Sequence, residues 1–230
     1  MGLVALGAPF DIIPDLARLC GIRSFVETGT LFGGTSRAAA TYFESVYTVE
    51  KARGLYEKYS GALRQVGNIE PLFGDSKSVL PEILARLGDQ SAVFWLDGHW
   101  SGGETAGKED ECPILAELEI LSKRSGDIIL IDDARLFLSA PAAPHDIAQW
   151  PTLLEISEAL LRRPARPYVQ VIDDVIFIVP NNAKIVDCLV EYGRSRSKGF
   201  WSAYERGRPR RPLLRRVANR LARLLPTRRA

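Results

Sequence analysis

Residues 25 to 36 read FVETGTLFGGTS: a short apolar run closed by Glu27, then glycines, threonines and a serine. A glycine-rich turn between a strand and a helix commonly brings backbone amides against a phosphate. Here the acid stands ahead of the glycines, in the pattern E-x-G-x-x-x-G-G, and a carboxylate repels phosphate. The turn suits instead a ligand that carries an ammonium or sulfonium group. Taken alone, the stretch reads equally well as a tight strand-to-helix turn with no ligand, so its neighbours must decide.

Short apolar runs alternate with amphipathic stretches on both sides of it. The runs at 24–27, 46–49, 69–73, 92–97 and 127–132 predict strands, several of them apolar on both faces as in a parallel sheet. Helices are predicted at 10–20, 34–43, 51–64, 78–87 and 113–124. This alternation implies an α/β fold with helices on both faces of the sheet. YVQVIDDVIFIVP, ending at Pro180, gives two β-branched runs around Asp173-Asp174 and reads as a closing hairpin. The segment from Gly98 to Cys112 is long and polar for an α/β connection, which suggests an active-site cover.

In open α/β sheets, ligands bind beyond the carboxyl ends of the strands. Every predicted strand ends in at least one carboxylate: Glu27, Glu50, Asp75 (beside Ser76), Asp97 (near His99), and Asp132 with Asp133. Buried carboxylates are costly unless they meet cations, hydroxyls or amines. Glu27 suits a cation. Glu50, at the end of the next strand, can hold both hydroxyls of a ribose. Asp75 can accept from an adenine amino group. A cation, a ribose and an amine occur together in S-adenosylmethionine.

Glu27-Thr28-Gly29, Gly33-Gly34-Thr35, Glu50, Gly74-Asp75-Ser76 and Asp97 together resemble the class I S-adenosylmethionine-dependent methyltransferases. By order of elements the resemblance runs from about residue 10 to 180. The form of the glycine turn is most similar to the small metal-dependent O-methyltransferases that act on catechols, phenylpropanoids or sugars. The resemblance implies a Rossmann-like fold with a mostly parallel seven-stranded sheet and a C-terminal hairpin. It implies cofactor binding by residues 27–30 (Glu27, Thr28, Gly29, Thr30), Gly33, Gly34, Thr35, Glu50, Asp75, Ser76 and Asp97. It further implies a divalent ion, magnesium by preference, on Asp97, Asp132 and Asp133. Such an ion would lower the pKa of a substrate hydroxyl and fix its oxygen in line with the methyl group. Asp97 and His99 are the expected catalytic residues, with His99 as proton acceptor. His99 stands where relatives often carry a second acid. Without a metal, Asp97 would bind the acceptor directly, and Asp132-Asp133 would read as a helix cap plus a solvated carboxylate.

The rest of the composition sets bounds. Three cysteines far apart, Cys20, Cys112 and Cys188, favour reduced thiols in a cytoplasmic protein. Two histidines, His99 and His145, argue against the usual zinc sites. His145 sits in a Pro/Ala-rich stretch and is expected to be exposed. Trp95 is expected in the core, Trp100 in the cover or as a substrate platform, and Cys112 in a structural role. No apolar run is long enough to span a bilayer.

The net charge of +2 hides an asymmetry: from Arg206 onward there are ten arginines and no acid, leaving −8 on residues 1–205. We therefore divide the chain into a methyltransferase-like domain, 1–205, and a basic tail, 206–230. Leu213, Leu214, Val217, Leu221, Leu224 and Leu225 recur at helical spacing opposite Arg215, Arg216, Arg220 and Arg223. This pattern fits an anionic surface at the inner face of the membrane. Nucleic acid is the rival partner, disfavoured because an apolar stripe has no use on phosphates. A second subunit, making a homo-oligomer, is the third. The expected reaction is methyl transfer to a hydroxyl of a small molecule or sugar. The alternatives are a nucleic-acid-binding methyltransferase-like protein and a non-catalytic cofactor-binding fold.

Overall fold

The computed structural model describes residues 7–139 and 141–207; the arginine-rich helix expected over 213–225 lies outside them. The described chain forms a seven-stranded sheet with helices on both faces. The parallel strands are β1 (Ser24–Thr28), β2 (Ser45–Glu50), β3 (Ile69–Phe73), β4 (Ala92–Leu96) and β5 (Ile128–Ile131). The expected hairpin follows as β6 (Tyr168–Ile172) and β7 (Val175–Val179), joined through Asp173-Asp174. The order is β3-β2-β1-β4-β5-β7-β6, with β7 antiparallel to both of its neighbours. Pro71 is tolerated because β3 is an edge strand.

The helices are α1 (Ile13–Cys20), α2 (Gly34–Ala39), α3 (Arg53–Arg64), α4 (Ser76–Leu87), α5 (Ile114–Ile120), α6 (Arg135–Leu138), α7 (Leu153–Leu161) and α8 (Ala183–Gly207). α2 and α5 are shorter than expected, and α6, α7 and α8 are additional. α7 starts on a capping box in which Thr152 and Glu155 satisfy each other's backbone N–H groups. The chain divides into one unit through Gly193 and a second from Arg194 onward. The described part of the second is helical and carries Trp201 and Tyr204, exposed and edge-to-face with ring centroids 5.7 Å apart.

Alternation along the strands builds a core on each face. Phe25, Val93, Trp95, Ile128, Leu130 and Phe177 point to the side of α1 and α3, against Ile13, Leu16 and Leu63. Val26, Val49, Phe94, Leu96, Ile129 and Ile131 point to the side of α4, α5 and α7, against Leu80, Ile83, Leu118 and Ile156. Each such fully buried side chain contributes about 1.5–3 kcal/mol relative to exposure. Trp95 is a core residue, as expected. Among the described residues, no helix is long and apolar enough to cross a membrane.

The register decides where chemistry can occur. Thr28 is level with Val49 and with Leu96, and Leu96 with Ile131. The next residues in each strand, Gly29, Glu50, Asp97 and Asp132, therefore form one row. The strand order reverses between β1 and β4, where a crevice opens in sheets of this kind.

Candidate active site

A cleft of about 670 Å³, part of it open to solvent, lies at that reversal. Of the expected cofactor residues, Gly29, Glu50, Asp75, Ser76 and Asp97 line it, and so does His99. Gly29 has φ 86°, and a Cβ there would lie 2.2 Å from the Asp97 carbonyl oxygen. Only glycine lets the end of β1 approach β4 this closely.

Glu50 is buried at the cleft wall. Its Oε2 accepts from the Leu31 N–H at 2.9 Å and its Oε1 from the Ala52 N–H at 2.8 Å. Leu31 is held in the left-handed region at φ 49°, uncommon for a bulky residue. The Lys51 amide also approaches, and the carboxylate keeps acceptor capacity beyond these amides, as hydroxyls of a ligand would need. Burial raises the Glu50 pKa, opposed by these backbone amides.

Glu27 is not on the cleft wall. It is buried beneath the glycine turn, where the Ser36 hydroxyl and the Thr48 hydroxyl (2.8 Å) donate to its Oε2. Thr30 joins the cluster through Thr48, oxygen to oxygen at 2.6 Å. Burial pushes the Glu27 carboxyl up to about 7, against the pull of the Ser36, Thr48 and Thr35 hydroxyls. The Thr28 hydroxyl accepts from the Asp97 N–H at 3.2 Å. Gly33 caps α2 at φ 74° and Gly34 opens it. These residues shape the turn from below.

Asp75 is on the wall but already engaged. One oxygen accepts from the Lys77 N–H at 3.0 Å as the cap of α4, and the other lies 2.8 Å from Lys51 Nζ. Burial would raise its pKa, but Lys51 and the Lys77 amide hold it below the usual range. Lys51 itself lines the cleft, which the strand-end reading missed because it looked only for acids.

Across the reversal, a chain of charges replaces the neutral donors. His99 is buried, its Nδ1 3.5 Å from Asp97 Oδ1 and its Nε2 2.9 Å from Asp133 Oδ2. Asp133 Oδ1 takes the Arg135 guanidinium at 2.6 Å, and Arg135 also pairs with buried Asp174 from the hairpin turn. Asp132 Oδ1 accepts from the Asp133 N–H at 2.7 Å. Burial pushes Asp97 up to about 8, aided by Asp132, Glu27 and Asp133 and opposed by His99. Burial likewise lifts Asp132 to about 6. It would also lift Asp133, but His99 and Arg135 hold that group low. Burial works against the His99 cation, yet the surrounding carboxylates win and raise its pKa.

The expected metal set is not shown by this arrangement. Asp97, Asp132 and Asp133 do share one end of the sheet. Among the described residues, however, no three His, Cys, Asp or Glu side chains are grouped so as to hold a metal ion. The physical reason is that His99 stands between Asp97 and Asp133, and both Asp133 oxygens are met by other cations.

The expected cover is pinned at several points. Lys77 on α4 pairs with Asp110, and Thr105, Ala106 and Asp110 line the cleft. Glu111 is buried and accepts from Trp150 Nε1 at 2.7 Å and the Asp146 N–H at 3.1 Å, with His145 Nδ1 at 2.9 Å. His145 is thus not the exposed residue expected: it packs edge-on against Trp100 and Trp150. Trp100 is buried inside the cover. Cys112 is also buried, its thiol pushed up to about 12 by burial, which suits the structural role expected of it. The three cysteines are free.

One residue escaped the sequence reading altogether. Glu117 on α5 is fully buried beneath Gly98, and neither carboxylate oxygen has a completed hydrogen bond among the described residues. The Ser76 and Thr28 hydroxyls approach it, but burial dominates and pushes it up to about 7.

Comparison with known proteins adds the fold. A solved structure from Staphylococcus aureus, provisionally named a caffeoyl-CoA O-methyltransferase, matches 76% of this chain and 86% of its own, at 16% identity and a TM-score of 0.52. The chain has the Rossmann-like methyltransferase fold. The O-methyltransferase TomG of Streptomyces achromogenes, solved with S-adenosylmethionine, matches 77% of this chain and 82% of its own, at 22% identity and a TM-score of 0.48. An O-methyltransferase of Bacillus cereus, solved with S-adenosylhomocysteine, matches 75% and 81%, at 13% identity and a TM-score of 0.47. No protein-family model matches the sequence, and no curated protein is significantly similar to it.

Proposed function

We propose that the chain transfers a methyl group from S-adenosylmethionine to a hydroxyl oxygen of a small molecule or sugar. The observation that carries this reading is Glu50, a buried carboxylate at the sheet's reversal held by the Leu31 and Ala52 amides, with the Lys51 amide also approaching, and with acceptor capacity left for hydroxyls. It fits a ribose diol. Asp75 and Ser76 line the same cleft.

When bound, the cofactor supplies an electrophilic methyl group on a sulfonium. The chain's own residues then position the acceptor and move one proton. Asp97 and His99 both line the cleft and act as an electrostatically coupled pair, 3.5 Å apart. Because Asp97 is raised to about 8 and His99 is raised as well, the pair accepts a hydroxyl proton only once it has lost its own, as pH rises through about 8. Asp133 orients the ring from its far nitrogen. The cover formed by 98–112 limits water at the reacting oxygen.

The test is label transfer from methyl-labelled S-adenosylmethionine to a panel of catechols, phenylpropanoids and sugars. Transfer to one class, lost in His99→Ala, supports the reading. A folded chain that binds the cofactor yet labels none of these hydroxyl acceptors counts against O-methylation. The basic tail remains a proposed attachment to anionic membrane surfaces, resting on its sequence pattern alone.

A further inference from the structure

A divalent ion among Asp97, Asp132 and Asp133 would need their oxygens to converge at about 2.0–2.6 Å from one centre. Two of them, Asp97 and Asp133, face an imidazole instead, and Asp132 accepts from the Asp133 N–H. His99 is 7% exposed, its two nitrogens facing Asp97 and Asp133. Trp150 backs the ring, with centroids 5.5 Å apart. Asp133 is itself held: its backbone is left-handed at φ 55°, and its second oxygen is paired with Arg135. The Arg135 N–H in turn donates to Asp174 Oδ1 at 3.0 Å, so the hairpin turn between β6 and β7 secures the far end. A chain of alternating charge thus runs from the hairpin to the cleft, and its last member fills the space between two carboxylates.

We propose that His99 takes the place a divalent ion would need between Asp97 and Asp133, held there through Asp133, Arg135 and Asp174, and that the site is metal-independent. For its catalytic consequence this rests on the methyl-transfer reading; the metal-binding property itself does not. Arg135 and Asp174 are positioning residues, and the carboxylates that would recruit a metal serve to hold a ring.

The test uses manganese ion alone as the probe, titrated into the full chain and followed by loss of the free-ion paramagnetic resonance signal. Far-UV circular dichroism and S-adenosylhomocysteine titration are run on the same samples. The wild-type chain is expected to show no saturable binding up to about 1 mM ion. His99→Asp removes the ring and adds a carboxylate, and is expected to gain one saturable site. One-to-one binding by the wild type, abolished in Asp133→Asn, would overturn the proposal. So would a folded His99→Asp that stays blind to manganese, since the ring would then not be what excludes the ion. Failure of S-adenosylhomocysteine to bind a folded chain would instead count against the methyltransferase reading, leaving the manganese result to stand by itself.

Discussion

The two sides of the sheet's reversal handle the same problem, buried carboxylates, with different chemistry. On the β1–β2 side, Glu27 and Glu50 are met by neutral donors: the hydroxyls of Ser36 and Thr48 and the amides of Leu31 and Ala52. On the β4–β5 side, Asp97 and Asp133 are met by cations, His99 and Arg135. Neutral donors leave Glu50 able to accept further hydrogen bonds and so favour a hydroxyl-bearing ligand. Cations cancel the charge locally and leave groups that exchange protons. On the proposed reading, the first side binds and the second reacts.

Removing the ring from the reactive side gives the largest expected effect. His99→Ala should lower turnover on the accepted substrate by about 10²–10⁴-fold, with S-adenosylhomocysteine affinity changed little. Wild-type activity should rise with pH as the Asp97–His99 pair loses its proton, around the value of about 8 to which Asp97 is pushed. That rising limb should be displaced in the variant. Equal losses of binding and turnover would break the division between the two sides.

Glu117 sharpens the comparison, because it lies between the two sides with neither kind of partner completed. Burial pushes its pKa in the folded chain up to about 7, from the usual value of 4.5. It therefore favours the folded state fully below about pH 4.5 and loses that contribution as pH rises through 7. Glu117→Gln does not titrate. Between pH 4.5 and 7.5 its unfolding free energy, relative to wild type, should rise by about 3 kcal/mol. Denaturant melts at the two pH values measure this. A difference independent of pH would mean that Glu117 is ionised in the folded chain.

The smallest expected effect is at the cover. Lys77 and Asp110 are both more than a third exposed, and such pairs contribute about 0.2–1 kcal/mol. Lys77→Ala should weaken S-adenosylhomocysteine binding by less than about fivefold, mainly by faster release, in stopped-flow displacement. A much larger loss would make the cover part of the binding side.

The binding side was largely legible in the sequence, and the reactive side only in part. Strand ends fall where apolar runs stop, so Glu50, Asp75 and Asp97 could be read one after another. The same logic named Asp132 and Asp133 but not what they hold. That depends on the left-handed backbone at Asp133 and on Arg135 meeting Asp174, contributed by a hairpin far along the chain. Nor does strand-end position reveal side-chain direction, which is why Glu27 sits beneath the turn and not in the cleft. His145 looked exposed because proline and alanine surround it; its partners Glu111 and Trp150 are brought in by folding. α7 was legible and missed: Thr152 and Glu155 stand at capping-box spacing ahead of an apolar run.

The most direct test of the account is calorimetric titration of the full chain with S-adenosylhomocysteine, wild type beside Glu50→Ala. Two hydroxyl bonds to a buried carboxylate contribute about 1.5–3 kcal/mol each. The account therefore predicts saturable one-site binding by the wild type and a loss of at least about 100-fold in the variant. No binding by a folded wild-type chain, or equal binding by both, would contradict it.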